Sequence, residues 1–209
     1  MPIVYPLTMP EYGVSQYDLT YITTDAMTES PSTGSQQIQV FDRELWKLKI
    51  TLGENFYQEE FDEWSSFLMS LSGRFGTFLA GDPLRLAPLG NANGNSGSPE
   101  IYNNISKGKI LNLRNCTPSI SKYLKRGDYI QIGTGSASRL HKVVLDVDTD
   151  SSGNCVVDIV PRLRQVYPNG QSVSLNNCRG LFRLTSNEIN MQMRDLRQFG
   201  LEFEAVEVL

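Results

Sequence analysis

Few residues in this chain could act together chemically, and the scarcest type is histidine, of which His141 is the only one. Ser-His and Cys-His nucleophiles need an imidazole base, and the common zinc sites need several imidazoles or thiolates, so one histidine serves at most one such site. His141 stands in Ser138-Arg139-Leu140-His141-Lys142-Val143-Val144-Leu145, a β-favouring run with no convergent polar motif, and is expected as a surface or half-buried strand residue. The cysteines, Cys116, Cys155 and Cys178, are odd in number and form no Cys-x-x-Cys pair. They read as reduced, buried thiols, not as a disulfide frame or a zinc cage.

The acids offer one patterned group. Asp146, Asp148 and Asp150 place oxygen ligands where the first, third and fifth positions of a calcium loop would be. The sixth position is Ser151 where the loop requires glycine, and the twelfth is Val157 where it requires a bidentate glutamate, so the run reads as a hairpin turn with solvated carboxylates. Arg126-Gly127-Asp128 has the form of an adhesion tripeptide, but its glycine is explained by a tight turn before a strand. Gly133-Thr134-Gly135 is followed by neither a Lys-Ser/Thr pair nor a helix start, so no phosphate loop is expected. These residues point to no catalytic residue, no metal and no cofactor, and the chain is not expected to be an enzyme.

The composition agrees with a folded protein that binds through its shape. The chain has 209 residues, 40% apolar and 20% charged, with 19 Lys and Arg against 23 Asp and Glu for a net charge of −4. That balance argues against nucleic acid as a partner and against disorder. No apolar run approaches the roughly 20 residues of a membrane span, and residues 1–10 lack a signal-peptide pattern, so a reducing cytoplasm is the expected place of synthesis and folding.

The elements that would position these residues are mostly strands. The first 35 residues are punctuated by Pro2, Pro6, Pro10, Gly13, Pro31 and Gly34 and read as an irregular arm or meander with short β-favouring pieces such as Tyr17 to Thr23. Residues 36–52 alternate, with Trp46, Leu48, Ile50 and Leu52 on one side and Lys47, Lys49 and Thr51 on the other, and a break in parity predicts a bulge or tight turn near Asp42-Arg43-Glu44. Tyr57, Phe61, Trp64, Leu68 and Leu71 predict one amphipathic helix over 57–72, capped by Asn55 and ended by Gly73. A short strand and a turn at Gly81-Asp82-Pro83 follow. Residues 89–99, rich in Gly, Asn and Ser, read as a flexible, exposed linker or loop at a domain boundary near 84–100. From 101 to 184 short strands at 129–132, 140–147, 154–161 and 172–175 predict a small barrel or sandwich. In the last residues Leu201, Phe203 and Ala205 alternate with Glu202, Glu204 and Val206, a strand that could return to the first sheet.

The run Trp46-Lys47-Leu48-Lys49-Ile50, the Trp64-bearing helix ending Leu71-Ser72-Gly73-Arg74, and Gly76-Thr77-Phe78-Leu79-Ala80-Gly81-Asp82-Pro83 together resemble the distal tail proteins of long-tailed, non-contractile bacteriophages. Lys125-Arg126-Gly127-Asp128-Tyr129, Val160-Pro161 and the ending 201–207 resemble that pattern too, and the likeness runs from about residue 30 to the end. The resemblance implies a mainly β fold with one helix, in which a tail-tube-like β-sandwich (1–83 with 183–209) carries an inserted small β-barrel (84–182). It further implies a homo-hexameric ring in the virion tail tip, joining the tail tube protein to the tail-tip hub protein, with assembly in the host bacterial cytoplasm. No family active site carries over. Trp46, Trp64, Gly76, Phe78, Gly81, Asp82 and Pro83 are expected as architectural positions, and Gln36, Ile38, Val40 and Phe41, with the arm, as contacts between subunits. Under this reading removal of residues 1–30 should abolish the ring and leave the monomer largely folded. Two other classes remain open: a receptor- or carbohydrate-binding tail module carried by the barrel, and a cell-wall enzyme built on a specific carboxylate.

Overall fold

The computed structural model describes residues 2–10, 12–53, 58–105, 107–194 and 198–208, with backbone alone at 192–194, 198 and 199. Its first sheet starts from β1 (Leu7–Thr8), β2 (Val14–Glu29) and β3 (Gln36–Leu52), followed by the helix α1 (Gln58–Ser70) and β4 (Phe78–Ala80). A second, barrel-like sheet uses β5 (Glu100–Ile101), β6 (Gly108–Arg114), β7 (Tyr129–Ile132), β8 (Arg139–Val143), β9 (Cys155–Leu163) and β10 (Val173–Ser174). The chain then returns to the first sheet with β11 (Gly180–Leu184), β12 (Asn190–Arg194) and β13 (Gln198–Glu207). The protein is thus mainly β, with a curled sheet ordered β1-β4-β11-β13-β3-β2 and a nearly closed one ordered β10-β7-β8-β9-β6-β5. The ends of the second sheet approach through a bridge between Glu100 and Ser172 and through Val173 N–H donating to the Pro99 carbonyl at 3.0 Å.

The first core forms because two periodicities meet. Trp46, Leu48, Ile50 and Leu52 on β3, with Leu201, Phe203 and Ala205 on β13, turn one face of the sheet apolar, and all are buried. Phe61, Trp64, Phe67 and Leu68 of α1 cover part of that face, with Trp64 against Phe203 and Phe67 against Phe78 in tilted and edge-to-face contacts. The opposite face carries Lys47 and Lys49, paired with Glu204 and Glu202 at 2.8 and 2.6 Å. These pairs are half exposed and contribute little stability. Tyr57 and Asn55, expected at the helix start, lie outside the described residues.

Residues 14–29 are not an irregular arm: they form one 16-residue strand paired along β3, because the prolines and glycines fall before it and in the turn at 30–35, leaving the strand itself free of breakers. Tyr5, Leu7, Tyr17, Leu19 and Tyr21 pack on the first core, so removing residues 1–30 would strip the sheet of its edge and expose that core. The monomer would not stay intact. Residues 89–99 form a mostly exposed loop, as one of the expected alternatives has it, but the loop is fastened to the barrel and not flexible. Ala92 is fully buried, and the backbone of Asn91, Ala92 and Ser98 donates to Lys122, Tyr123 and Asn115 carbonyls at 2.9 Å. A Cβ on Gly90 would lie 2.3 Å from the Tyr123 carbonyl oxygen, so glycine here permits close packing of the strap on the barrel.

The expected bulge is present. Thr23 pairs with Glu44 and Asp25 with Val40, which puts one residue of β2 opposite three of β3 at Phe41-Asp42-Arg43. The strand expected over 140–147 ends at Val143, beyond which Val147 bridges Leu124. Pro161 sits inside β9 where the pairing with β6 slips between Gly108 and Ile110, a place that asks no ladder hydrogen bond of it.

Trp64 is fully buried in the sheet-helix layer. Trp64→Ala should therefore lower unfolding free energy by about 3–5 kcal/mol, and urea unfolding followed by circular dichroism measures it; a loss under about 1 kcal/mol would contradict the assigned core.

Candidate functional site

The most constrained polar region lies where the barrel meets the first sheet. On β3 the buried parity that carries Trp46 to Leu52 continues one step back to Glu44, and on β13 the parity of Leu201, Phe203 and Ala205 continues one step on to Glu207. Both carboxylates are only 3% exposed. A buried carboxylate needs charged partners and donors, and the barrel supplies them. Lys109 Nζ lies 2.8 Å from Glu44 Oε1, and Arg162 N–H donates to Glu44 Oε2 at 2.9 Å. Arg164 Nη2 donates to Glu207 Oε2 at 2.6 Å, and Trp46 N–H donates to the same oxygen at 3.2 Å. The Arg162 guanidinium pairs with Asp42 just beyond.

The two carboxylates titrate in opposite directions. Burial raises the Glu44 pKa, but hydrogen bonds from Lys109, the Tyr21 hydroxyl and Arg162 N–H outweigh it and hold the group below the ordinary 4.5. For Glu207 burial dominates, and despite Arg164 and Trp46 N–H its pKa is raised. His141 lies on β8, in one cavity wall with Arg162 and Arg164, and is 1% exposed, not at the surface or half-buried as its sequence context suggests. Its flanking residues Leu140 and Val143 are core positions too, because β8 is a central strand covered on both faces. Burial pushes the imidazole down to about 4, opposed by the Pro161 carbonyl, so the ring is neutral near pH 7. Its Nδ1 is 2.7 Å from the Pro161 oxygen. Among the described residues no group of three or more His, Cys, Asp or Glu is placed to hold a metal ion.

The expected architectural residues converge on this junction or on the core beside it. Trp46 donates from Nε1 to the Leu140 carbonyl of the barrel at 3.0 Å, and its ring meets Tyr21 and Tyr129. Trp64 donates from Nε1 to the Tyr12 carbonyl at 3.0 Å, and Phe78 stacks on Phe182. Gly76 N–H closes the turn after the helix on the Leu71 carbonyl at 2.7 Å. A Cβ on Gly81 would fall 2.0 Å from the Cys178 carbonyl oxygen, where the strands leading out to the barrel and back run side by side. Asp82 accepts from Leu84 N–H at 2.9 Å and hydrogen-bonds the Tyr129 hydroxyl, and Pro83 follows in the same exit turn. Gln36, Ile38, Val40 and Phe41 lie elsewhere, on the distal half of the β2–β3 hairpin, all exposed.

The suggestive motifs are used internally. Asp128 is 2% exposed and accepts from Leu89, Gly90 and Lys125 N–H groups at 2.6, 3.1 and 2.8 Å, so it clamps the strap to the barrel. Asp146, Asp148 and Asp150 accept from the N–H groups of Arg126, Lys122, and Ser152 with Asn154. The cysteines are free and buried, with Cys116 and Cys155 sulfurs 3.9 Å apart. No helix among the described residues is long and apolar enough to cross a membrane. Neither Glu44 nor Glu207 is among the site residues expected from the sequence, although the period-two pattern that finds the core already puts a carboxylate on each buried face.

Glu44 gives a pH prediction whose sign follows from its direction. Its lowered folded-state value stabilises the fold above the ordinary 4.5, and that contribution is lost as the pH falls below it. Glu44→Gln should cost about 1–3 kcal/mol near pH 7 and flatten the acid limb of a stability-against-pH curve measured by chemical unfolding. An acid limb as steep as in the unmodified protein would count against the assignment. In comparisons with known proteins, no family model matches this chain and no curated sequence matches it.

Proposed function

We propose that this chain is a structural component of a bacteriophage tail tip, a distal tail protein whose copies close into a ring, of six subunits in the resembled family, joining the tail tube to the tail-tip hub. The observation that carries the reading is the β2–β3 hairpin. Beyond the bulge at 41–43 its two strands run on for five paired residues each, roughly 17 Å, with every residue of β3 from Gln36 to Arg43 exposed. Met27 and Ile38 pair across the strands and are 58% and 59% exposed, and Val40, on the same side, is 69% exposed. An apolar stripe held out in solvent on a paired ribbon is a contact surface in search of a partner.

The hairpin also leaves β2 as an edge strand 16 residues long. Closed rings of identical subunits are built from heterologous contacts, in which one surface meets a different one, and a projecting ribbon beside an open edge supplies both kinds of surface. The absence of an evident catalytic constellation in the sequence fits a protein that works by shape. The resemblance supplies the setting, a tail tip, and the hairpin supplies the means.

Replacing residues 24–41 by a short turn removes the projection and leaves every residue of the first core in place. Tail particles assembled with the shortened chain should lack the ring by negative-stain electron microscopy, while the purified variant keeps its cooperative unfolding. Normal rings from the shortened chain, or the chain's absence from finished particles, would end this reading.

A further inference from the structure

We propose that the cavity between the two units is a binding site for a small polyvalent oxyanion, of the phosphate or polycarboxylate class, which cross-links the first sheet to the barrel. The cavity has a volume of about 450 Å³, inside the range of roughly 300–1,000 Å³ typical of small-molecule sites. Its cations come from separate elements: Arg43 from β3, Lys107 from the segment before β6, and Arg139 from β8.

The charges around it do not balance. Asp42, Glu207 and Glu44 are matched by Arg162, Arg164 and Lys109. Arg43, Lys107 and Arg139 form no ion pair among the described residues, and Arg139 spends its Nη1 on the carbonyls of Ser136 and Ser138. The chain as a whole carries −4, so this local excess of positive charge is not spill-over from a basic protein. Cations gathered at one opening repel each other, and a multivalent anion converts that repulsion into attraction.

A second, independent observation concerns hydrogen bonding. Among the described residues, Arg162 Nε and Arg164 Nη1 are buried donors without a partner, and both residues line the cavity. His141, also in its wall and 1% exposed, places Nδ1 on the Pro161 carbonyl and leaves Nε2 unpartnered among the described residues. With Nδ1–H donated, Nε2 is an acceptor. A ligand with a hydroxyl beside its anionic oxygens, such as hydrogen phosphate or a hydroxylated polycarboxylate, answers both the orphaned donors and this acceptor.

The test is calorimetric titration of the full chain with inorganic phosphate and, separately, with citrate, in about 0.15 M salt to screen diffuse attraction. At least one should bind with a dissociation constant below about 1 mM, and the ligand that binds should raise the melting temperature. The double variant Arg43→Ala with Lys107→Ala changes two exposed side chains that hold no ion pair, and should weaken binding by at least about tenfold. Arg139→Gln, read in the same way, is the second variant should the first not fold. Lys47→Ala with Lys49→Ala, on the far face of the sheet, should leave binding unchanged. Absence of binding to both anions, or equal loss from the far-face variant, would overturn the site, as would binding that survives the cavity variants.

Discussion

Two carboxylates buried where apolar strand faces run out, Glu44 and Glu207, are the constraint on which the placement of everything else depends. Each is taken out of water by the sheet that carries it and compensated by groups that belong to the barrel, Lys109 and the Arg162 N–H for one and Arg164 for the other. Burying an ion pair adds little net stability compared with an apolar contact of the same size, but leaving one member unpaired is costly. The junction therefore tolerates one docking geometry and penalises the others. Trp46 sits between the two carboxylates in the fold, giving its backbone N–H to Glu207 and its indole N–H to the Leu140 carbonyl, so the same residue anchors the apolar core and the polar seam.

That seam lies at the root of the projecting hairpin. The extra residues of β3 at Phe41-Asp42-Arg43 mark where the ribbon leaves the body, and bulges of this kind add twist and redirect a strand. Asp42 and Glu44, on either side of Arg43, are gripped by Arg162, while Tyr21 on the neighbouring strand hydrogen-bonds Glu44. The barrel thus acts as a buttress. A two-stranded ribbon in water is marginal by itself, and fixing its base cuts the entropy it would lose on meeting a partner. In the proposed ring this makes the insertion a part of the contact machinery even though its residues need not touch the neighbour.

The barrel is stapled by hydrogen bonds from polar residues that in other proteins would be read as ligands. Asp128 closes the strap, Asp148 and Asp150 close turns, and Thr149, 7% exposed, receives Ile120 N–H and donates to the Thr117 carbonyl. A barrel this small has limited apolar interior, and its irregular connections carry backbone donors that must be satisfied. Short acidic side chains in turns meet that need locally. Their spacing mimics a cation loop because turn capping and calcium binding select the same oxygen-bearing residues.

Local order was legible in the amino-acid pattern because it rests on interactions between residues close in sequence. The alternation at 46–52 and the stripe from Phe61 to Leu71 report strand and helix directly, the parity break near 42–44 reports an irregularity that the pairing makes a bulge at 41–43, and the return of 201–206 to the first sheet could be read from matching alternation. The length of β2 and the order of residues 89–99 were hidden, since each is stabilised by a partner distant along the chain: β3 for the former, and the 115–123 segment with Asp128 for the latter. The seam was half written: the strand period puts Glu44 and Glu207 on buried faces, but whether a carboxylate there is buried or merely ends the strand depends on what approaches it. Lys109, Arg162 and Arg164 reach them only after the barrel has folded and docked, and the cost of an unpaired buried charge, a property of three-dimensional surroundings, is what sets that arrangement.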